Sequence, residues 1–278
     1  MNWKDKKVCV TGGKGMIGRE LIEQLHNLGA IVLCADLPDW DLTKPEWADA
    51  VCEGMDYIFH LAGVKGNPKM TKERPVDFMG PMLKFDTNMI ISAQKNKIKG
   101  FLYTSSIAVE NPESDKYPAW AKQTAETLIE AMRIQYPEGV NYCIVRPANV
   151  YGRFDNLDRD NLMVISSLIK KAKTEKKLDI DVKGGEQIRD FINARDVARG
   201  MIKAMELMPK NPVNLCSGQG VKIKDVALKI ANKLKIPLNS VNLNLTLGEF
   251  KRVMKLNWNF KTRIGINEGI EEVIDYQL

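Results

Sequence analysis

The stretch "VCVTGGKGMIG", residues 8–18, decides the architecture. Val8, Cys9 and Val10 make an apolar run of strand length, glycines stand at 12, 15 and 18, and a helical pattern runs from Met16 to Leu28. A strand that turns through glycines straight into a helix gathers backbone amides and the positive end of a helix dipole at one point. Glycine there lets backbone approach an anion closely and lets helix and strand pack tightly. The stretch therefore reads as a cradle for a dinucleotide pyrophosphate, made by Gly12, Gly15, Met16, Ile17 and Gly18. Asp36 follows about 20 residues on, where a carboxylate accepts from adenosine ribose hydroxyls. An acid at that place repels a 2′-phosphate and so favours NAD over NADP. Lys14, inside the loop, works in the opposite sense.

Outward from that turn, continuous apolar runs alternate with helical patterns. The strands are "VCVTG" (8–12), "IVLCA" (31–35), "YIFHLAG" (57–63), "GFLYTSS" (100–106) and "YCIVRP" (142–147). Between them lie helical stretches at 16–28, 45–54, 78–97 and 118–135. This alternation predicts an α/β fold: a doubly wound parallel sheet covered on both faces. Beyond 150 it loosens, with clear helices in "NARDVARGMIKAME" and "KIKDVALKIANKL" and shorter strands between. The expected organisation is a dinucleotide-binding domain over 1–148, with contributions from about 189–216. A smaller, interwoven C-terminal α/β lobe over 149–278 would bind substrate.

Composition narrows the function classes. Of 278 residues, 44% are hydrophobic and 27% charged, which is ordinary for a soluble globular protein. No apolar run approaches the ~20 residues that span a bilayer. The chain runs from Met1 almost directly into the first strand, so a cytoplasmic protein with no membrane partner is expected. A net charge of +6 invites a nucleic-acid reading, but the lysines are dispersed. The one dense cluster, "KKAKTEKK" (170–177), lacks an aromatic residue and reads as a solvated helix end. No nucleic-acid partner is expected; an anionic small substrate suits the charge better. Five cysteines without CxxC spacing predict reduced, buried thiols and no metal site.

Five motifs, "TGGKGMIG", "FHLAG", "YTSS", "RPANVYG" and "RDFINARDVA", follow in the order and approximate spacing of one family. The chain resembles the NAD-dependent epimerase/dehydratase family, the extended short-chain dehydrogenases, over nearly its whole length. Segment 59–106 is most similar to the GDP-fucose synthase branch. The resemblance implies a Rossmann fold, NAD as cofactor and a nucleotide-diphosphate sugar as substrate. It also implies a homodimer formed by the long helix at 78–97 and the helix after Tyr117. Leu61, Ala62 and Gly63, at the end of what would be the family's fourth strand, would line the cofactor, with Asp41 and Leu42 beside adenine. Pro147 and Val150 would lie near the nicotinamide. Asn149, Asn161, Leu162 and Arg189 would meet the substrate, Arg189 gripping its diphosphate with a planar guanidinium. His60 reads as a packed part of its strand.

The catalytic group implied by the resemblance is Ser106, Lys122 and a tyrosine four residues before the lysine. In the family the lysine binds the nicotinamide ribose and favours the phenolate, which takes a proton as hydride leaves. Here "PAWAK" (118–122) puts Pro118 at that place and Tyr117 one residue earlier. On a regular helix a spacing of five sets two residues roughly 140° apart. Proline suits a first helical position, and Tyr117 at a cap would escape that geometry. Three readings stand: Tyr117 serves as acid/base, the place is vacant, or another residue fills it.

Other departures shape the expectation. The family's "GT" on the long helix is Phe85-Asp86, its Asn is Pro81, and Ile107-Ala108 replace the Asp-Glu pair of dehydratases. Only His26 and His60 are present, and Ala108 stands near the cysteine that double epimerisation needs. What remains is 4-epimerisation or C4 oxidation and reduction of a nucleotide sugar. The alternative is a catalytically silent NAD-binding sensor or scaffold.

Overall fold

The computed structural model describes residues 1–64, 66, 68–114, 116–158, 162–243 and 249–277. The first half runs β1 (Lys7–Thr11), α1 (Met16–Asn27), β2 (Ile31–Ala35), α2 (Pro45–Cys52), β3 (Tyr57–His60), α3 (Pro68–Glu73), α4 (Pro75–Lys95), β4 (Gly100–Thr104), a 3₁₀ turn (Ile107–Glu110), α5 (Lys116–Gln135) and β5 (Asn141–Pro147). The second half adds β6 (Asn149–Tyr151), α6 (Val164–Glu175), β7 (Leu178–Asp181), α7 (Val182–Gly185), β8 (Ile188–Asn193), α8 (Ala194–Leu207), β9 (Val213–Leu215), β10 (Gly220–Lys222), α9 (Ile223–Leu234), β11 (Leu238–Val241), β12 (Lys251–Arg252) and α10 (Ile266–Gln277).

Six parallel strands form the main sheet in the order β2-β1-β3-β4-β5-β9. The two-residue period of a strand sorts its side chains between two core layers. Val8, Val10, Phe59, Leu102, Cys143 and Val145 point into the layer under α1 and α8. Cys9, Ile58, Phe101, Tyr103, Tyr142 and Ile144 point into the layer under α2, α4 and α5. Residues as large as Phe59, Phe101 and Tyr103 are fully buried, and each such burial stabilises by about 1.5–3 kcal/mol. Strand order reverses between β1 and β3, and the crevice above that point is where ligands of open α/β sheets bind.

Two local expectations need correction. The strand at 57–60 is the third in the chain: β2 leads through α2 directly into β3, and no further strand intervenes among the described residues. Helix α5 starts at Lys116, so Tyr117 lies inside its first turn and Pro118 is its third residue. Proline is accommodated there because first-turn amides have no intrahelical acceptor.

The smaller part holds a second sheet in which β8 pairs with β6, β10 and β12, and a two-stranded pair of β7 and β11. Its own core includes Tyr151, Ile169, Leu178, Val226 and Ile274. The chain then returns to the first part, with α8 packing beside α1 and β9 extending the main sheet. No helix among the described residues is long and apolar enough to cross a membrane.

Candidate active site

At the turn from β1 to α1, Gly12 has φ +67°, a conformation open to glycine at no steric cost. A Cβ on it would stand 2.9 Å from the Ala62 nitrogen and the Leu61 carbonyl carbon. At Gly18 a Cβ would lie 2.4 Å from the Gly12 oxygen. The expected loop residues and Leu61-Ala62 are thus one packed unit. Gly15 is the N-cap of α1 and supplies no side-chain cap, and the first turn carries no acid. The helix therefore presents uncapped amides and partial positive charge above the sheet.

Asp36 stands just past β2. Its Oδ2 accepts from the Lys14 amide at 3.0 Å and its Oδ1 from the Leu37 amide at 2.9 Å. The Lys14 ammonium lies across the same turn, donating to the Leu37 carbonyl at 3.1 Å and pairing with Asp39 at 3.2 Å. Asp41 is turned toward the start of α2, where it accepts from the Thr43 hydroxyl at 2.6 Å. That bond holds its carboxyl below the ordinary range. Leu42 is buried in the core.

Beneath the glycine loop runs a buried polar chain. Thr11 Oγ1 accepts from the amides of Leu61 and Ala62, both at 3.1 Å. Its own proton therefore goes to His60 Nδ1, 2.7 Å away. That fixes the tautomer: His60 carries its proton on Nε2 and donates it to Asp86 Oδ1 at 2.9 Å. Tyr103 donates to Asp86 Oδ2 at 2.6 Å. Lys122 Nζ stands 3.7 Å from the same oxygen and 4.7 Å from the centre of the Tyr103 ring. Burial pushes the His60 imidazole down, so it stays neutral. Burial pushes Asp86 up, but Lys122, His60 and Tyr103 outweigh it and hold the carboxyl below its usual range. Burial and then Asp86 drive the Tyr103 phenol far up, which leaves it a hydrogen-bond donor and no base. The chain made by Thr11, His60, Asp86 and Tyr103 was not expected from the sequence. The departure from the family's pattern at Phe85-Asp86 was its one visible sign.

Ser106 follows β4, and its Oγ accepts from the Ala108 amide at 3.1 Å as cap of the 3₁₀ turn. Its proton remains available to a ligand oxygen. The hydroxyls of Thr104 and Ser105, just before it, are buried without a partner. Tyr117 is 36% exposed in the first turn of α5, whereas Lys122 is buried. The structure brings Lys122 to Tyr103, three residues from Ser106, and sets Tyr117 on a different side of the helix.

On the substrate side, Pro147 ends β5 and Val150 lies in β6. Asn149 donates its amide to the Asp190 carbonyl at 2.8 Å. Leu162 packs against the core of the smaller part, and Asn161 lies outside the described residues. Arg189 donates to the carbonyls of Ile188 at 2.9 Å and Glu249 at 2.8 Å. Directly across the β8–β12 ladder stands Arg252, an arginine that sequence reading missed. Burial and the charge of Arg252 push the Arg189 guanidinium down. Burial raises Glu249, but Arg252 and Asn111 outweigh it and keep its carboxyl low. Arg252 pairs with the Glu249 carboxylate at 2.8 Å while Arg189 takes that residue's backbone carbonyl, and Asn111 ties the glutamate to the loop after Ser106.

The glycines that admit no Cβ, the uncapped α1, the unpartnered hydroxyls beside Ser106 and the ammonium of Lys122 fit a nicotinamide dinucleotide. Comparison with known proteins agrees. The profile of the NAD dependent epimerase/dehydratase family matches residues 8–216. A probable GDP-L-fucose synthase 1 of Oryza sativa subsp. japonica is 26% identical, over 97% of this chain and 91% of that protein. A dTDP-4-dehydro-6-deoxy-D-allose reductase of a Streptomyces species is 25% identical, over 81% of this chain and 80% of its own. Among solved structures, a GDP-D-glycero-L-gluco-heptose synthase from Campylobacter jejuni, determined in the presence of NADPH, superposes with a TM-score of 0.87. It is 20% identical, with 98% of each chain covered, a likeness of fold.

Proposed function

The chain belongs to the NAD dependent epimerase/dehydratase family, and on that premise we propose that it is a nucleotide-sugar epimerase or oxidoreductase acting by hydride transfer at a ring carbon, most often C4. The observation that carries this reading is Lys122. Its ammonium is buried beside Asp86 at 3.7 Å, yet it makes no hydrogen bond to another described residue. A buried lysine with unspent donors is suited to the hydroxyls of a ribose.

When bound, the nicotinamide supplies a hydride acceptor or donor. Gly12, Gly15, Met16, Ile17 and Gly18 would hold the pyrophosphate, Leu61, Ala62 and Gly63 the middle of the cofactor, and Lys122 the nicotinamide ribose. Ser106 would donate to the sugar oxygen, and Tyr117 would take the proton as the C–H bond gives up hydride. Arg189 would grip the substrate diphosphate, with Arg252 beside it. That pair carries two positive charges against the single negative charge of Glu249, a surplus that a diphosphate would neutralise. Asp36 favours NAD over NADP. A homodimer in the cytoplasm completes the reading.

A second reading, a catalytically silent dinucleotide-binding protein, is favoured by Pro118 and by the exposure of Tyr117. Both readings require the cofactor. Titration with NADH and NADPH should give saturable binding with NADH tighter, and Asp36→Ala should narrow or reverse that preference. Competing UDP-, GDP- or dTDP-sugars should then bind the loaded protein. No saturable binding of either dinucleotide would overturn the proposal.

A further inference from the structure

We propose that Asp86 is the positioning residue for Lys122: a fixed buried carboxylate that holds the ammonium by charge while leaving its hydrogen bonds to the cofactor ribose. The inference rests on the reading of Lys122 given under Proposed function. The side chains of Lys122 and Asp86 are 11% and 2% exposed, and an ammonium so far from water needs a compensating charge. At 3.7 Å the pair lies within Coulombic reach but beyond a hydrogen bond. The carboxylate cannot swing to close that gap, because His60 holds Oδ1 at 2.9 Å and Tyr103 holds Oδ2 at 2.6 Å. His60 is locked in turn by Thr11, whose hydroxyl is anchored by the amides of Leu61 and Ala62. The Tyr103 ring supplies a second non-directional hold, 4.7 Å from the ammonium. Both attractions fix where Lys122 Nζ stands, and neither consumes an N–H. The same chain reaches β1 at Thr11, one residue before Gly12, so the lysine and the pyrophosphate loop share one rigid support.

A double-mutant cycle on cofactor affinity tests this. Dissociation constants for NADH and NADPH are measured by calorimetry for the wild type, Asp86→Asn, Lys122→Met and the double variant, each checked for folding by thermal melting. Asp86→Asn and Lys122→Met should each weaken binding by about tenfold or more, and the double variant should bind no more weakly than Lys122→Met alone. Asp86→Glu, which keeps the charge, should recover part of the affinity lost in Asp86→Asn. It also carries the cycle if the asparagine variant does not fold. Losses that multiply in the double variant would assign Asp86 a structural role and overturn the proposal. So would a glutamate no better than asparagine, or an Asp86→Asn affinity equal to wild type. Wild-type protein that binds neither dinucleotide would sink the site reading itself. Binding that survives Lys122→Met intact would leave the cofactor site standing and remove the positioning role.

Discussion

His60 shows how a residue that looks like a catalyst is committed elsewhere. Thr11 donates to one ring nitrogen and Asp86 accepts from the other, so the imidazole is a spacer between strand and helix. The sequence reading of His60 as a packed strand residue agrees with its complete burial. A titration consequence follows from that burial. The folded imidazole, pushed down by desolvation, stays neutral, while the unfolded one takes up a proton near its ordinary value of 6.5. Unfolding therefore gains a proton below about pH 6.5, and stability falls as pH drops through that window. Asp86, held below its ordinary 3.8, makes its own loss only at pH below about 4, so the two windows are separate. Melting temperature should decline from about pH 6.5 to 5, and the decline should shrink in His60→Gln, whose amide does not titrate. An unchanged slope in that variant would mean that His60 does not set it. Asp36, Ser106 and Lys122 could be singled out as candidates because each sits at a fixed offset from a recognisable turn or motif. Asp86 could not, since its partners come from β3, β4 and α5 and meet only through the sheet. Arg252 was hidden for the same reason: nothing local marks a two-residue strand that pairs beside Arg189.

At the scale of elements, α5 is where sequence and structure diverge most. The first five strands and their covering helices could be read from alternation because the strands, the edge strand β2 apart, are buried on both faces and each helix on one. A helix start is set by capping and local sterics, which periodicity does not report. Pro118 suited a first helical position, but the helix begins two residues earlier, at Lys116, and all three residues tolerate a first turn. Tyr117 is therefore helical and roughly 140° from Lys122 about the axis. As acid/base it would have to work from the rim of the site, with the lysine's charge already balanced by Asp86. Tyr117→Phe is the decisive substitution for this element. If Tyr117 moves the proton, turnover should fall by well over tenfold, more than ~1.4 kcal/mol of transition-state stabilisation, while cofactor affinity is unchanged. A loss below tenfold in kcat would hand the proton to Ser106, a water or a substrate hydroxyl. Helix α4 carries its own irregularity, Pro81 in its interior, where the amide that would bond the Asp77 carbonyl is missing.

For the whole molecule, the proposed site draws on two supports. The main sheet carries the glycine loop after β1, Ser106 after β4 and Lys122 on α5, elements of the regular strand–helix alternation, which is why that half was readable. The smaller part delivers Arg189 and Arg252 from a sheet assembled out of distant segments, with Glu249 and Asn111 bridging back to the loop after Ser106. Its short strands carry little periodic signal, so the paired arginines emerge only from the fold. Helices α4 and α5 pack against each other on one side of the sheet and leave Ile91 and Trp120 exposed at 48% and 40%. We expect two copies to associate through these helices, giving a dimer by sedimentation at micromolar concentration; a monomer there would contradict it. The central claim, hydride transfer on a nucleotide sugar, is tested most directly by product analysis. Protein in stoichiometric amount is mixed with oxidised or reduced nicotinamide dinucleotide and a panel of UDP-, GDP- and dTDP-sugars, including 4-keto forms, and the sugars are examined by NMR. The account predicts one nucleotide series altered at a ring carbon, with C4 inverted, oxidised or reduced; recovery of every sugar unchanged from protein that holds both cofactor and sugar would contradict it.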